Sequence, residues 1–140
     1  MNIVVDTNVI VAALLRKGIV RELLLGYPGS FITPKFCIEE IWEHRDVWGR
    51  GCCADDELRE VVDLLAADVL VVASEVVYYS KVRQASILTD DPDDIPVIAL
   101  ALAIENDGLW TFNRKDFSKP ALKSRVKVLS TSEVCRLLRF

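Results

Sequence analysis

Asn2-Ile3-Val4-Val5-Asp6-Thr7-Asn8-Val9-Ile10-Val11-Ala12-Ala13-Leu14-Leu15 is the stretch whose reading decides the fold class. Residues 2–5 run apolar into the polar Asp6-Thr7-Asn8, and apolar side chains then persist through Leu15. This reads as a short buried strand, a polar turn and a helix. A parallel α/β domain begins in this way. A strand covered on both faces needs no polar alternation, and its next parallel neighbour is reached only through a crossover.

The same alternation continues along the chain. Val20 to Leu25 is helical, ended by Gly26 and Pro28, and Ser30-Phe31-Ile32-Thr33 reads as a second strand. Residues 34–48 form one helix with an apolar stripe of Cys37, Ile41 and Trp48, broken by Gly49 and Gly51. Asp55 to Ala67 is the next helix, Val69 to Val72 the third strand, and Ser74 to Leu88 a helix that Ser74 is placed to cap. After the turn Thr89-Asp90-Asp91-Pro92-Asp93-Asp94, Ile95 to Ile104 is apolar on nearly every side and is expected to be packed on both faces. Leu109 to Phe112 and Val126 to Leu129 supply two more strands, and Ser132 to Phe140 closes the chain as a helix. The expectation is a three-layer α/β/α sandwich around a mostly parallel, roughly five-stranded sheet. One domain spans 1–140, with no internal repeat.

Composition narrows the class. Half of the 140 residues are apolar and only 6 are Gly and 5 Pro, so a folded core is expected throughout. No apolar run approaches the roughly 20 residues a bilayer span needs, and no basic leader opens the chain. A cytoplasmic protein without membrane contact is expected. Cys37, Cys52, Cys53 and Cys135 form no C-x-x-C pair and have no histidine at zinc spacing, so reduced thiols are the default. The net charge of −4 excludes binding to nucleic acid by bulk attraction. Local cations remain: Arg114, Lys115 and Lys119 open a basic run that is read either as a phosphate track or as a solvated surface. With 51% apolar residues and three Trp, a homodimer is also expected.

In parallel sheets, ligands sit beyond the carboxyl ends of the strands where the strand order reverses, so polar residues that follow strands carry the chemistry. Asp6 follows the first strand, where it serves either as a helix cap or as a ligand. Asp94 has the same two readings, although four aspartates around Pro92 exceed what capping requires. On a helical wheel Glu40 lies roughly 80 to 100° from the centre of its apolar stripe, whereas Glu39 points almost opposite to it. The fourth strand ends in Thr111-Phe112-Asn113-Arg114-Lys115-Asp116, which puts a hydroxyl, an amide and a carboxylate at one sheet edge. Carboxylates that meet must take up protons or bind a cation, and an oxygen-only set favours Mg²⁺ or Mn²⁺ over zinc.

Four blocks, Ile3 to Val9, Glu39-Glu40-Ile41, Asp93 to Ala101 and Trp110 to Phe117, together resemble the PIN-domain family in identity and order. The chain is most similar to its compact prokaryotic members, many of which are VapC-type toxins of toxin-antitoxin pairs. That resemblance implies metal-binding, catalytic acids at Asp6, Glu40, Asp94 and Asp116, supported by Asn8, Thr111 and Asn113. It implies a Mg²⁺- or Mn²⁺-dependent ribonuclease that hydrolyses single-stranded RNA, frequent homodimers, and an antitoxin partner that covers the acidic pocket. Asn113 stands where many relatives carry Asp, and Glu39 and Asp93 are alternatives to Glu40 and Asp94 as ligands.

Three other readings compete. A phosphatase of the haloacid-dehalogenase type needs Asp-x-Asp-x-Thr where this chain has Asp6-Thr7-Asn8-Val9-Ile10. A phospho-receiver domain needs an Asp after the third strand, which here meets Ser74-Glu75. A PIN fold kept as a binding or scaffold module without useful catalysis is the alternative from another class, favoured by the acidic net charge and by Asn113.

Overall fold

A computed structural model describes residues 1–48 and 54–140. Gly49, Gly51 and the vicinal Cys52-Cys53, singled out above, lie outside the described residues. The strands are β1 (Ile3–Val5), β2 (Phe31–Pro34), β3 (Leu70–Ala73), β4 (Gly108–Trp110) and β5 (Val128–Leu129). The helices are α1 (Thr7–Leu15), α2 (Ile19–Gly26), α3 (Lys35–Glu43), α4 (Arg45–Trp48), α5 (Asp55–Leu64), α6 (Glu75–Tyr78), α7 (Val82–Ser86), α8 (Ile95–Ala103), α9 (Pro120–Lys123) and α10 (Thr131–Leu138).

Every strand pairing is parallel and the order is β3-β2-β1-β4-β5. The chain winds outward from β1 through β2 to β3, then crosses back to place β4 on the other side of β1. That reversal opens a crevice at the carboxyl ends of β1 and β4, where the register sets Val5 opposite Trp110.

Alternation along the strands divides the core in two. Ile3, Val5, Phe31, Trp110 and Leu129 pack with side chains of α1, α2, α5 and α10. Val4 and Leu109 face the other way, toward Val97 to Ala101 of α8, with Tyr78, Ala85, Phe117 and Leu122 around them. Helix α8 is therefore enclosed between the sheet and α6 and α7, as its all-round apolar sequence requires.

The helix expected over 55–67 ends as α5 at Leu64 and continues as a π-helical turn over Leu65–Val69; two other expected helices are broken, each with a local cause. The helix expected over 34–48 is interrupted at His44. Beyond that point the Trp48 indole donates to the Ile41 carbonyl (3.1 Å) and the Arg45 guanidinium to the Trp42 carbonyl (2.9 Å). Side chains thus satisfy carbonyls that a continuing helix would pair. The helix expected over 74–88 is instead α6, a tightened turn at Tyr79–Lys81, and α7, and the Ser74 side chain makes no capping bond. Val76, Val77 and Ser80 are weak helix formers, and packing of the short pieces on α8 decides their geometry. β4 also stops at Trp110, two residues early, which releases Thr111 and leaves Phe112 exposed.

Gly108 opens β4 with φ +144°, and a Cβ there would come within 2.6 Å of the Leu129 side chain and 2.8 Å of the Lys127 carbonyl oxygen. The Lys127 carbonyl also accepts the Leu109 amide at 2.7 Å, so it has little room to retreat. Gly108→Ala should destabilise the protein by roughly 2–4 kcal/mol, from strain and overpacking together. A urea-unfolding midpoint unchanged from the parent would refute this reading of the β4–β5 junction.

Candidate metal centre

Asp6 leaves β1 with its backbone amide bonded to the Trp110 carbonyl at 3.1 Å, so the two central strands jointly place it. Its side chain is 6% exposed. One carboxylate oxygen accepts the Thr7 amide at 2.8 Å and the other the Thr111 hydroxyl at 2.8 Å. Burial pushes the Asp6 carboxyl above its ordinary range, the Thr111 and Thr7 bonds pull it part of the way back, and the charges of Asp91 and Asp116 add to the rise.

The Thr111 hydroxyl has a second duty: its oxygen accepts the Asn113 amide at 3.1 Å. The Asn113 side-chain amide in turn donates to the Asp116 carboxylate in a short hydrogen bond. A chain of hydrogen bonds therefore runs from Asp6 through Thr111 and Asn113 to Asp116. Thr111→Val keeps the shape and removes the donor, leaving a buried carboxylate oxygen without its partner. The expected cost is about 1–3 kcal/mol of unfolding free energy at neutral pH, read by urea titration. A variant as stable as the parent would mean that Thr111 does not hold Asp6.

Asp94 occupies the cap position of α8, yet its carboxylate makes no capping bond. Capping of this turn falls instead to Asp91, which accepts the Asp93 amide at 3.0 Å. Asp94 is 7% exposed, and its Oδ2 is buried without any hydrogen-bond partner among the described residues. Its carboxyl is raised to about 7, first by burial and then by the charges of Asp6, Asp91, Asp116 and Glu40. Carboxylate oxygens of Asp91, Asp94 and Asp116 lie within 4.8 Å of one another.

Glu40 is half-buried, and burial also raises its carboxyl, with the Thr7 side chain opposing and Asp93 and Asp6 adding to the rise. Glu39 is turned outward and pairs with Lys35 at 3.7 Å. Asp93 is exposed, in contrast to Asp94. The structure thus brings Asp94 and Asp116 together with Asp91, whereas Asp6 and Glu40 stand outside that group and act on Asp94 through their charges.

Some expected participants stand elsewhere. Asn8 is exposed, and no hydrogen bond ties its side chain to the acids among the described residues. Of the three cations considered as phosphate contacts, Lys119 is paired with Asp90 at 2.7 Å and Arg114 approaches Glu133 at 3.8 Å, while Lys115 is exposed. His44, at the end of α3, is exposed. Sequence alone does not distinguish Asp91; its one signal is the surplus of aspartates around Pro92, four where one or two would cap the helix.

The donor set suits a hard divalent ion. It offers only oxygens, three carboxylates converge, and one buried oxygen has no hydrogen-bond partner among the described residues. No curated protein matches the chain. The family model described as the PIN domain matches residues 4–135, nearly the whole length, and covers every acid of this centre. With the all-parallel sheet and the crevice at β1 and β4, that match places the chain in the PIN-domain family, to which it belongs.

Proposed function

We propose that the protein is a Mg²⁺- or Mn²⁺-dependent endoribonuclease that hydrolyses phosphodiester bonds of single-stranded RNA, and that it is the toxin of a toxin-antitoxin pair. PIN domains are in general nucleases that use divalent metal ions, and an acidic cluster able to bind one is present here. The observation that carries the proposal is the buried Asp94 Oδ2, without a hydrogen-bond partner among the described residues, set among the oxygens of Asp91 and Asp116. A structural aspartate in that position would be bonded, because an orphaned buried charge costs far more than it returns.

Asp6, Asp91, Asp94 and Asp116 are the proposed ligands, with Glu40 beside them. When bound, the ion neutralises charge that develops on the phosphate and makes water more acidic. The chain's own groups do the positioning: Thr111 fixes Asp6, Asn113 fixes Asp116, and the cap made by Asp91 sets the turn that presents Asp94. Arg114 and Lys115, on the loop after β4, are the proposed contacts to substrate phosphates. Because Asp90 already neutralises Lys119, that cation is left a weaker role.

An apolar groove between α1, α2 and α5, bordered by the exposed Leu25, Val61 and Leu64, supports association with a second copy. Among the described residues no helix is long and apolar enough to cross a membrane. The functional test uses protein shown to be free of any partner, incubated with varied single-stranded RNAs. Cleavage should require Mg²⁺ or Mn²⁺ and stop on chelation. Wild-type protein that cuts none of them with either metal would leave the family's fold as a binding module.

A further inference from the structure

The carboxyl edge of the sheet carries three chemistries in strand order. Arg114 and Lys115 follow β4, the acids stand at β1 and β4, and a pocket of about 260 Å³ lies beyond β2 and β3. Phe36, Glu75, Tyr79, Val82, Pro92 and Ile95 line it. Its walls belong to the same elements as the acids: Phe36 precedes Glu40 by one turn of α3, about 6 Å along the helix axis, and Pro92 and Ile95 bracket Asp93 and Asp94. Tyr79 is 76% exposed, whereas its neighbour Tyr78 lines the same pocket but is buried. The tightened turn at Tyr79–Lys81 gives this aromatic side chain to the pocket rim without burying it.

We propose that this pocket receives one nucleobase of the RNA, beside the phosphodiester held at the acids, with the base against the Tyr79 ring and its amino edge toward Glu75. The assignment rests on the nuclease reading above. The volume falls just below the range usual for drug-sized ligands and suits one ring system. Glu75 repels a phosphate but accepts from an exocyclic amino group, so a base fits and a backbone group does not. Aromatic faces bind bases of any sequence, and the carboxylate adds a preference for bases that present a donor.

The test measures anisotropy of a labelled single-stranded RNA of mixed sequence on the full chain carrying Asp94→Asn, in which cleavage should be about a thousand-fold slower. Adding Tyr79→Ala should weaken binding about tenfold and Tyr79→Phe should restore it. In the otherwise wild-type chain, Tyr79→Ala should raise KM by a similar factor with kcat little changed, and Glu75→Gln should alter which base is favoured beside the cut. If Tyr79→Ala binds and cuts as its parent does, the pocket is not a base site and the nuclease reading stands without it. If the parent never cuts but RNA binding depends on Tyr79, the pocket assignment holds and the nuclease reading falls. RNA that does not bind the parent at all overturns the proposal. So does a Tyr79→Ala protein that changes from dimer to monomer by light scattering with RNA affinity intact, since the pocket then seats a second copy.

Discussion

Asp94→Asn should lower RNA cleavage about a thousand-fold while making the metal-free protein more stable. The first effect follows from removing a charged ligand from a centre whose ion supplies several kcal/mol of transition-state stabilisation. The second follows from the raised carboxyl. Asp94 titrates at about 7 in the folded chain against 3.8 when unperturbed. Between those values the unfolded chain has lost its proton and the folded chain keeps it, so stability falls as pH rises from about 4 to 7 and stays low above that. Asn carries no such penalty and preserves size. Metal-free Asp94→Asn should therefore match the parent at pH 4 and exceed it at pH 8, by up to about 4 kcal/mol for a three-unit shift. Urea titrations at both pH values read this directly. An Asp94→Asn protein destabilised at pH 8 would mean that Asp94 is structural.

Trp110→Ala should be the most destabilising single change in the sheet. Trp110 is fully buried, its ring packs against Phe31 at 5.7 Å between centroids, and its indole donates to the Thr131 hydroxyl at 3.2 Å. Truncation should cost about 3–5 kcal/mol. The damage also reaches the metal centre, because the Trp110 carbonyl receives the Asp6 amide and the next residue is Thr111. Trp110→Phe keeps most of the packing and loses the Thr131 bond, so it should fall between parent and Ala. Thermal unfolding that ranks the three proteins otherwise would place the core elsewhere.

Much of this arrangement was legible because it follows from periodicity. The apolar run ending at Asp6 and the one ending near Thr111 mark neighbouring strands, and parallel topology brings their carboxyl ends together. The wheel of α3 likewise separates the half-buried Glu40 from the exposed Glu39. What stayed hidden depends on contacts distant in sequence or on the details of a turn. The break at His44 comes from Trp48 and Arg45 reaching back to carbonyls, which no propensity encodes. Asp91 looks like any aspartate before a proline until the fold brings Asp116 to it. Lys119 looks like an available cation until Asp90 meets it across the loop.

The central claim is that these carboxylates hold a divalent cation, and calorimetric titration of the purified chain with Mn²⁺ tests it most directly. The account predicts saturable binding by wild-type protein and loss of that binding in Asp94→Asn under the same conditions. Equal Mn²⁺ affinity in the two proteins, with Asp94→Asn shown to be folded, would contradict it.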